Sequence, residues 1–473
     1  MSGPGGSSLP STLGDPAARG WSRSVALVVA AAFFMENLDA TILATATTSI
    51  GRGFGVPAAQ VSIAITAYLV AVAAFIPLGS WLAERWGSRP VFLGAVALFT
   101  LASVACALSP DLRTLTLARL VQGFAGSMMV PIGRLVVLAE TGKADLVRAI
   151  AYLTWPALVA PVVAPLVGGL LTEYAGWPWI FLVNVPVGVL LLVVAWRVVP
   201  HVATRRRPLD VPGLLGSAVA IAALVLGFEA VTDPATAGRG SALLVLAAVS
   251  GLASWWWLRR AEHPLLDLTT LRIPTFRVSN GSGSVYRAAV SAAPFLVPLL
   301  LQDGFGWSPV DAGLMLMWVF VGNLGIKPFT TPLLRRFPVV PIALVAAVVL
   351  AATFVASAAL QPGTPRALVA LVLLVSGVAR SVGFTAYNTL QFADVPPPRM
   401  GPANALAAVS AQLATGLGVA VAALAVRSAQ ALTPGAAAPH GYRVALLVMA
   451  VAALASTVGG LRLPRGAGHV LRR

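Results

Sequence analysis

Two carboxylates, Glu36 and Asp39, lie near the middle of a run from Ser24 to about Thr48 that is otherwise almost wholly apolar. A charged side chain at the centre of a bilayer costs roughly 2.5 kcal/mol or more on insertion scales, so by default it marks a functional site. Three residues apart on a helix, the two acids face nearly the same way, and a carboxyl so placed is suited to exchanging a proton. Arg119, in a later apolar run, lies at nearly the same depth as Asp39, about 4–5 Å away along the membrane normal at 1.5 Å per residue. A buried unpaired arginine is costly, so Arg119 either pairs with Asp39 or satisfies itself on backbone carbonyls and Gln122. Glu36 has no such partner in the sequence. It either exchanges a proton with its surroundings or hydrogen-bonds polar groups in a cavity.

The elements that hold these residues are set by composition. Of 473 residues, 58% are hydrophobic and 10% charged, with a mean hydropathy of +0.87. A soluble domain carries about 25% charged residues, so the chain is expected to be an all-α integral membrane protein whose solvent is the lipid bilayer. Apolar runs of spanning length number fourteen: about 24–48, 59–82, 90–108, 113–139, 149–172, 177–197, 211–231, 241–258, 277–301, 310–332, 339–359, 367–391, 403–426 and 442–461. The ninth is the weakest, because Ser279 to Ser284 is polar and glycine-rich. With both termini cytoplasmic, about two-thirds of the 32 Lys and Arg residues fall on the inner side, which fits an even number of spans.

The net charge of +16 therefore reads as topology, and no nucleic-acid partner is expected. The single cysteine, Cys106, and four scattered histidines offer no metal site, and no cofactor is expected. With no Cys/His dyad and no phosphate-binding glycine loop leading to a lysine, the chain is not expected to be an enzyme or an ATP-driven pump. No loop is long enough for an added soluble sensor domain.

The other embedded charges are basic. Arg134 and Lys327 sit near inner span ends, where either can snorkel to the interface; Arg287 and Arg380 are nearer mid-span. No mid-span acid in that half balances them, so a cavity lined by them would favour anionic or zwitterionic ligands over simple cations. Trp155, Trp318 and Tyr387 fall within spans and either line a cavity or pack against lipid and neighbouring helices.

Four stretches, in order, resemble the major facilitator superfamily, and within it the 14-span drug:proton antiporters of the EmrB/QacA type. The run Leu38 to Thr48 resembles the first-span signature L-D-x-T-I-V-N-V-A-L-P, and Gly79 to Arg89 the loop signature G-x-L-a-D-r-x-G-r, with Glu84 in place of Asp. Leu117 to Gly126 matches the fourth-span motif R-x-x-Q-G-x-g, and Ala160 to Gly169 resembles the fifth-span antiporter motif, with Ala160 and Ala164 replacing two glycines. The second-half loop at Arg335 weakly echoes the loop at Arg85.

This resemblance implies two six-helix bundles, 24–200 and 276–462, joined by a linker with two extra spans at 201–275. A disordered cytoplasmic tail at 1–23, without signal-peptide features, and a basic tail at 463–473 complete the chain. It further implies proton-coupled export of small-molecule amphipathic substrates from an inner-membrane location by alternating access, with no efflux partner named by the sequence. The alternative is a carrier of one metabolite or organic anion on the same scaffold. Glu36, Asp39 and Arg119 would serve proton coupling. Gly79, Glu84, Arg85, Gly87 and Arg89 would form a gate, or else a plain positive-inside loop. Pro161, Pro165, Gly168 and Gly169 would form the antiporter motif. Gln122, Trp155, Arg287, Trp318, Lys327 and Arg380 are candidates for a substrate cavity.

Overall fold

With no water in the bilayer core, each apolar run must satisfy its own backbone N–H and C=O groups, and the α-helix is the form that does so within one segment. The computed structural model describes residues 23–141, 145–200, 208–231, 236–433 and 439–463, and among these no strand occurs. Both expected terminal tails fall almost wholly outside the described residues.

The first half contains α1 (Arg23–Phe54), α2 (Ala58–Trp86), α3 (Ser88–Ala107), α4 (Leu112–Glu140), α5 (Leu146–Tyr174), the short α6 (Trp179–Leu182) and α7 (Asn184–Val198). A pair follows, α8 (Val211–Val231) and α9 (Ala237–Leu258). The second half contains α10 (Pro274–Leu299), α11 (Pro309–Gly325), α12 (Lys327–Arg336), α13 (Val339–Ala359), α14 (Arg366–Ala393), α15 (Met400–Leu432), α16 (Pro439–Ala455) and α17 (Thr457–Leu461).

Among the described residues, twelve helical segments are long and apolar enough to cross a membrane, and thirteen if α11 and α12 are one span bent by 45°. The bend falls at Ile326, just before Pro328, whose ring removes a backbone donor. The run expected at 149–172 is one helix of 29 residues, α5, several of whose side chains, including Pro161 and Pro165, lie outside the described residues. The polar ninth run is an unbroken helix: Ser279 and Asn280 turn inward, and Gln391 of α14 donates to Asn280 at 3.1 Å.

The two halves repeat one packing plan. The main contacts of the first half, α1 with α5, α2 with α4, α3 with α4 and α3 with α7, recur as α10 with α15, α11 with α14, α13 with α14 and α13 with α16. That pattern makes the echo between the loops at Arg85 and Arg335 an internal repeat. The pair α8–α9 packs mainly on itself, with α8 also against α2 and α15.

The halves are tied at the end of the bundle that carries Arg85. There Arg335 of α12 pairs with Asp145 at 3.3 Å, and Asn404 of α15 donates to the Pro131 carbonyl at 2.7 Å. Leu138, Leu146 and Ile150 enter the core of the second half, while Ala405 and Val409 enter that of the first.

Two local features aim α4, which carries Arg119. Asp111 caps the helix, accepting from the Thr114 amide at 2.8 Å, and this bond holds its carboxyl below the usual carboxylate range. Gly123 lies so close to α2 that an added Cβ would stand 2.5 Å from the Tyr68 carbonyl oxygen and 2.9 Å from the Ala71 Cβ. Gly123→Val should therefore destabilise the protein by about 1–3 kcal/mol, the usual effect of overpacking. Gly94→Val, at a position with nothing within 4 Å, should leave stability unchanged. Thermal unfolding of both variants in detergent checks the pair; equal midpoints would mean that the α2–α4 contact yields freely.

Candidate functional site

Arg119 and Asp39 meet inside the first half. Arg119 Nη1 lies 2.5 Å from Asp39 Oδ2, and both side chains are wholly buried. Arg119 thus pairs with Asp39, and the Gln122 part of the other reading holds beside it, since the same Nη1 also donates to Gln122 Oε1 at 2.8 Å. Gln122 Nε2 in turn donates to Asp39 Oδ1 at 2.9 Å and to Ser103 Oγ at 2.8 Å. Asn184, the first residue of α7, donates to Asp39 Oδ1 at 2.8 Å. One carboxylate thus gathers α1, α4 and α7, with α3 joined through Ser103. The other face of the guanidinium lies 4.1 Å from the Tyr68 ring centroid, and Arg119 Nε and Nη2 have no hydrogen-bond partner. A cation over an aromatic face is attracted by the ring quadrupole, which partly replaces those missing bonds.

Gln122, expected at a substrate cavity, is instead wholly buried in this network. Ser103, Asn184 and Tyr68 join the network without any expectation from the sequence. Their signal was weak: polar or aromatic residues inside otherwise apolar runs, with nothing to say which way they point.

Glu36 lies one turn of α1 below Asp39 and faces α4, where an added Cβ at Gly126 would stand 3.3 Å from Tyr68 Oη and 3.6 Å from Glu36 Cδ. Glu36 Oε2 and Tyr68 Oη are both buried without a hydrogen-bond partner. Arg119, Tyr68 and the two acids therefore form one contiguous charged cluster, with unfilled hydrogen-bonding capacity on its Glu36 side.

At the loop expected to gate, Gly87 adopts φ 90° and ψ 148°, a conformation open to glycine alone, and it is the one residue between α2 and α3. Arg85 lies over the Trp81 ring at 5.5 Å. Arg89 donates to the Trp196 carbonyl of α7. Glu84 stands beside Gly401 of the second half, and Gly79 lets α2 rest on Met128 of α4. In the fifth-span motif, Gly168 lies against Thr45 and Ile42 of α1, so it permits the α1–α5 contact. Gly169 faces open space, while Ala160 and Ala164 are fully buried.

Among the cavities lined by residues of both halves, two carry the basic side chains singled out above. The central one, about 80 Å³, is lined by Phe33, Arg134, Thr154, Phe384 and Asn388, among others. Arg287 stands at its wall, donating to Asn388 Oδ1 at 3.1 Å with its guanidinium 4.4 Å from the Phe384 ring centroid. Arg134 therefore lines this cavity rather than snorkelling to an interface, its helix being packed among α1, α2, α3 and α15. The second cavity, about 800 Å³, lies between α1, α5 and α12, and Tyr152, Trp155, Arg148, Lys327 and Arg335 line it. Lys327 is buried there and donates to Thr385 Oγ1 at 3.1 Å. Arg380 is separate: its Nε and Nη1 are buried without partners, beside Tyr286. Trp318 is partly exposed and lines neither cavity, and Tyr387 is a core residue donating to the Ser456 carbonyl at 3.1 Å.

A multi-pass helical protein in two matched halves, with a buried ion pair in one and cavities between them, is built as a membrane transporter. Residues 29–419 and 280–470 match the Major Facilitator Superfamily, and the chain belongs to that family. It is 33% identical over 402 residues to a Serratia proteamaculans protein that carries the name multidrug resistance protein MdtD, covering 85% of this chain and 84% of that one. A Pectobacterium atrosepticum protein of the same name is 35% identical over 399 residues, covering 84% and 85%. Among solved structures, the human organic anion transporter MFSD10 superposes with a TM-score of 0.66 at 16% identity, covering 93% of this chain and 99% of the other. A double-tryptophan variant of XylE superposes at 0.67 and 15% identity, covering 95% and 97%. At these identities the two structures speak for the fold alone.

Breaking a buried ion pair from one side leaves an uncompensated charge, so Asp39→Asn and Arg119→Gln should each cost about 3–5 kcal/mol, and the double variant less than their sum. Cys106, the only cysteine, is buried with its thiol 3.5 Å from Gln122 Oε1. Labelling of that thiol by a coumarin maleimide on heating reads the opening of the network directly. Additive losses would mean that the two groups act independently.

Proposed function

We propose that the chain is a proton-coupled exporter of small amphipathic compounds, working by alternating access in the inner membrane. The observation that carries this reading is the buried cluster of Glu36, Asp39, Arg119 and Tyr68. It is the one place among the described spans where carboxylates, an arginine and unfilled hydrogen-bonding capacity meet. A proton delivered to Asp39 removes the charge that Arg119 pairs with and weakens the bonds from Gln122 and Asn184. The tie between α1, α4 and α7 then loosens, and α1 is the helix that packs on α5 beside the cavities between the halves. Glu36 is the group through which that proton reaches or leaves Asp39. The names of the bacterial relatives favour drug-like compounds as substrates.

In this reading the chain has fourteen spans: the twelve separate ones, the bent α11–α12 span and the 29-residue α5. Helices α8 and α9 are the inserted pair between two six-span bundles, and both termini are cytoplasmic. The end of the bundle tied by Asp145–Arg335 and Asn404–Pro131 is then the inner gate, to which Glu84, Arg85, Gly87 and Arg89 belong. The two bundles rock about the central cavity as that gate opens and closes.

The test uses proteoliposomes with an imposed pH gradient. Gradient-driven accumulation of at least one of two dyes, the cation ethidium or the anion 8-anilinonaphthalene-1-sulfonate, is expected for the unmodified protein. Asp39→Asn should abolish the gradient-driven component, and Glu36→Gln should slow it. Unchanged gradient-driven accumulation in both variants sinks the coupling role of this cluster.

A further inference from the structure

The transport reading leaves the substrate class open, and the central cavity narrows it. Arg134 belongs to the first half and Arg287 to the second, yet their charges bear on one another across the cavity between Phe33 and Phe384. Among the described residues, Arg134 makes no hydrogen bond or ion pair. Arg287 makes one bond, to the neutral Asn388. No carboxylate is among the lining residues, which are otherwise three phenylalanines, two aliphatic side chains and the hydroxyl of Thr154. The site is also symmetric in plan: Arg134 and Asn388 stand equally far from the starts of the matched helices α4 and α14.

Two like charges held in a low-dielectric cavity without a counter-ion are mutually destabilising. A guanidinium presents a planar fork of donors that fits carboxylate and sulfonate oxygens. We propose that Arg134 and Arg287 form a two-sided clasp for the acidic head group of a small aromatic anion, and that such anions are the substrate class of this transporter. This rests on the transport reading above. The phenylalanine rings take the apolar body, and the cavity of about 80 Å³ has room for several waters or one acidic head group. Because the clasp has one arginine in each half, the anion supplies the counter-charge that lets the halves close on it. An empty site leaves their repulsion to oppose closure.

Isothermal titration calorimetry on the full-length protein in a neutral detergent tests this with two probes of similar size and opposite charge, benzenesulfonate and benzylammonium. Benzenesulfonate should bind the unmodified protein and benzylammonium should not. Arg134→Gln and Arg287→Gln should each weaken benzenesulfonate by about tenfold or more, as expected for loss of a charge-assisted hydrogen bond. Lysine at either position should restore part of the affinity. Asn388→Asp, which sets a carboxylate beside Arg287, should weaken the anion and admit the cation. If a glutamine variant aggregates, the lysine and aspartate variants carry the test.

Benzylammonium bound as tightly as benzenesulfonate, no heat from benzenesulfonate, or undiminished anion binding in both glutamine variants overturns the proposal. Failure of anion binding beside intact gradient-driven ethidium transport sinks the clasp alone. Retained anion binding in an Asp39→Asn protein whose gradient-driven transport is also unchanged sinks the proton-coupling role and leaves the clasp standing.

Discussion

Everything in the first half is arranged around one buried charge, the carboxylate of Asp39. Taking it and Arg119 out of water is expensive, and their attraction offsets that only if the remaining hydrogen-bonding positions are filled. On the Asp39 side the protein fills them with Gln122, Asn184 and, one step further out, Ser103, each on a different helix, while Arg119 Nε and Nη2 stay without a partner under the Tyr68 ring. Helix positions follow from this demand. Gly123 lets α2 approach α4 until Tyr68 covers the open face of the guanidinium, and Gly168 lets α5 approach α1 on its other side. Small residues at such contacts are how helices pack closely in a membrane, where burial from water supplies no driving force between them.

The chemistry is divided between the halves although their packing is shared. Mid-span acids lie only in the first half, and all of them in α1. The second half carries buried Lys327 and half-buried Arg287 and Arg380, and among the described residues none of them pairs with an acid. An imbalance of this kind cannot be neutralised internally, so it directs attention to the cavities where the two halves face one another. Those cavities flank α5, and α5 packs against α1, which bears both carboxyls. A change at the charged cluster therefore has a short mechanical route to the space between the halves, through a single pair of packed helices.

The contacts between the halves are unevenly placed. A salt bridge, a side-chain-to-carbonyl bond and two exchanges of core residues tie the end that carries Arg85. The Asp145–Arg335 pair is partly exposed, and such pairs contribute little, typically 0–1 kcal/mol, so most of that tie is apolar packing. A closure built from weak polar contacts over modest core exchange suits a structure that must part and rejoin.

Much of this was legible in the sequence, because in a bilayer the one-dimensional pattern is close to the structure. Apolar runs must become helices, so the spans can be read along the 473 residues, and the family motifs mark four of them in order. The depth match of Asp39 and Arg119 could likewise be reckoned from helical rise alone. Which way a side chain points could not be. In a wholly apolar helix the hydrophobic pattern carries almost no record of the buried face, so Ser103, Asn184 and Tyr68 were invisible as members of the network. For the same reason the sequence leaves Gln122 between a cavity wall and a bond to Arg119, and the fold sets it against Arg119. Arg134 looked like a residue reaching for an interface, because nothing along the chain records that its neighbours wall it off from one. That Arg134 and Arg287, from helices far apart in sequence, converge on one cavity was decided by tertiary structure alone. Their meeting depends on how two separately packed halves are set against each other, and no local rule of sequence encodes that.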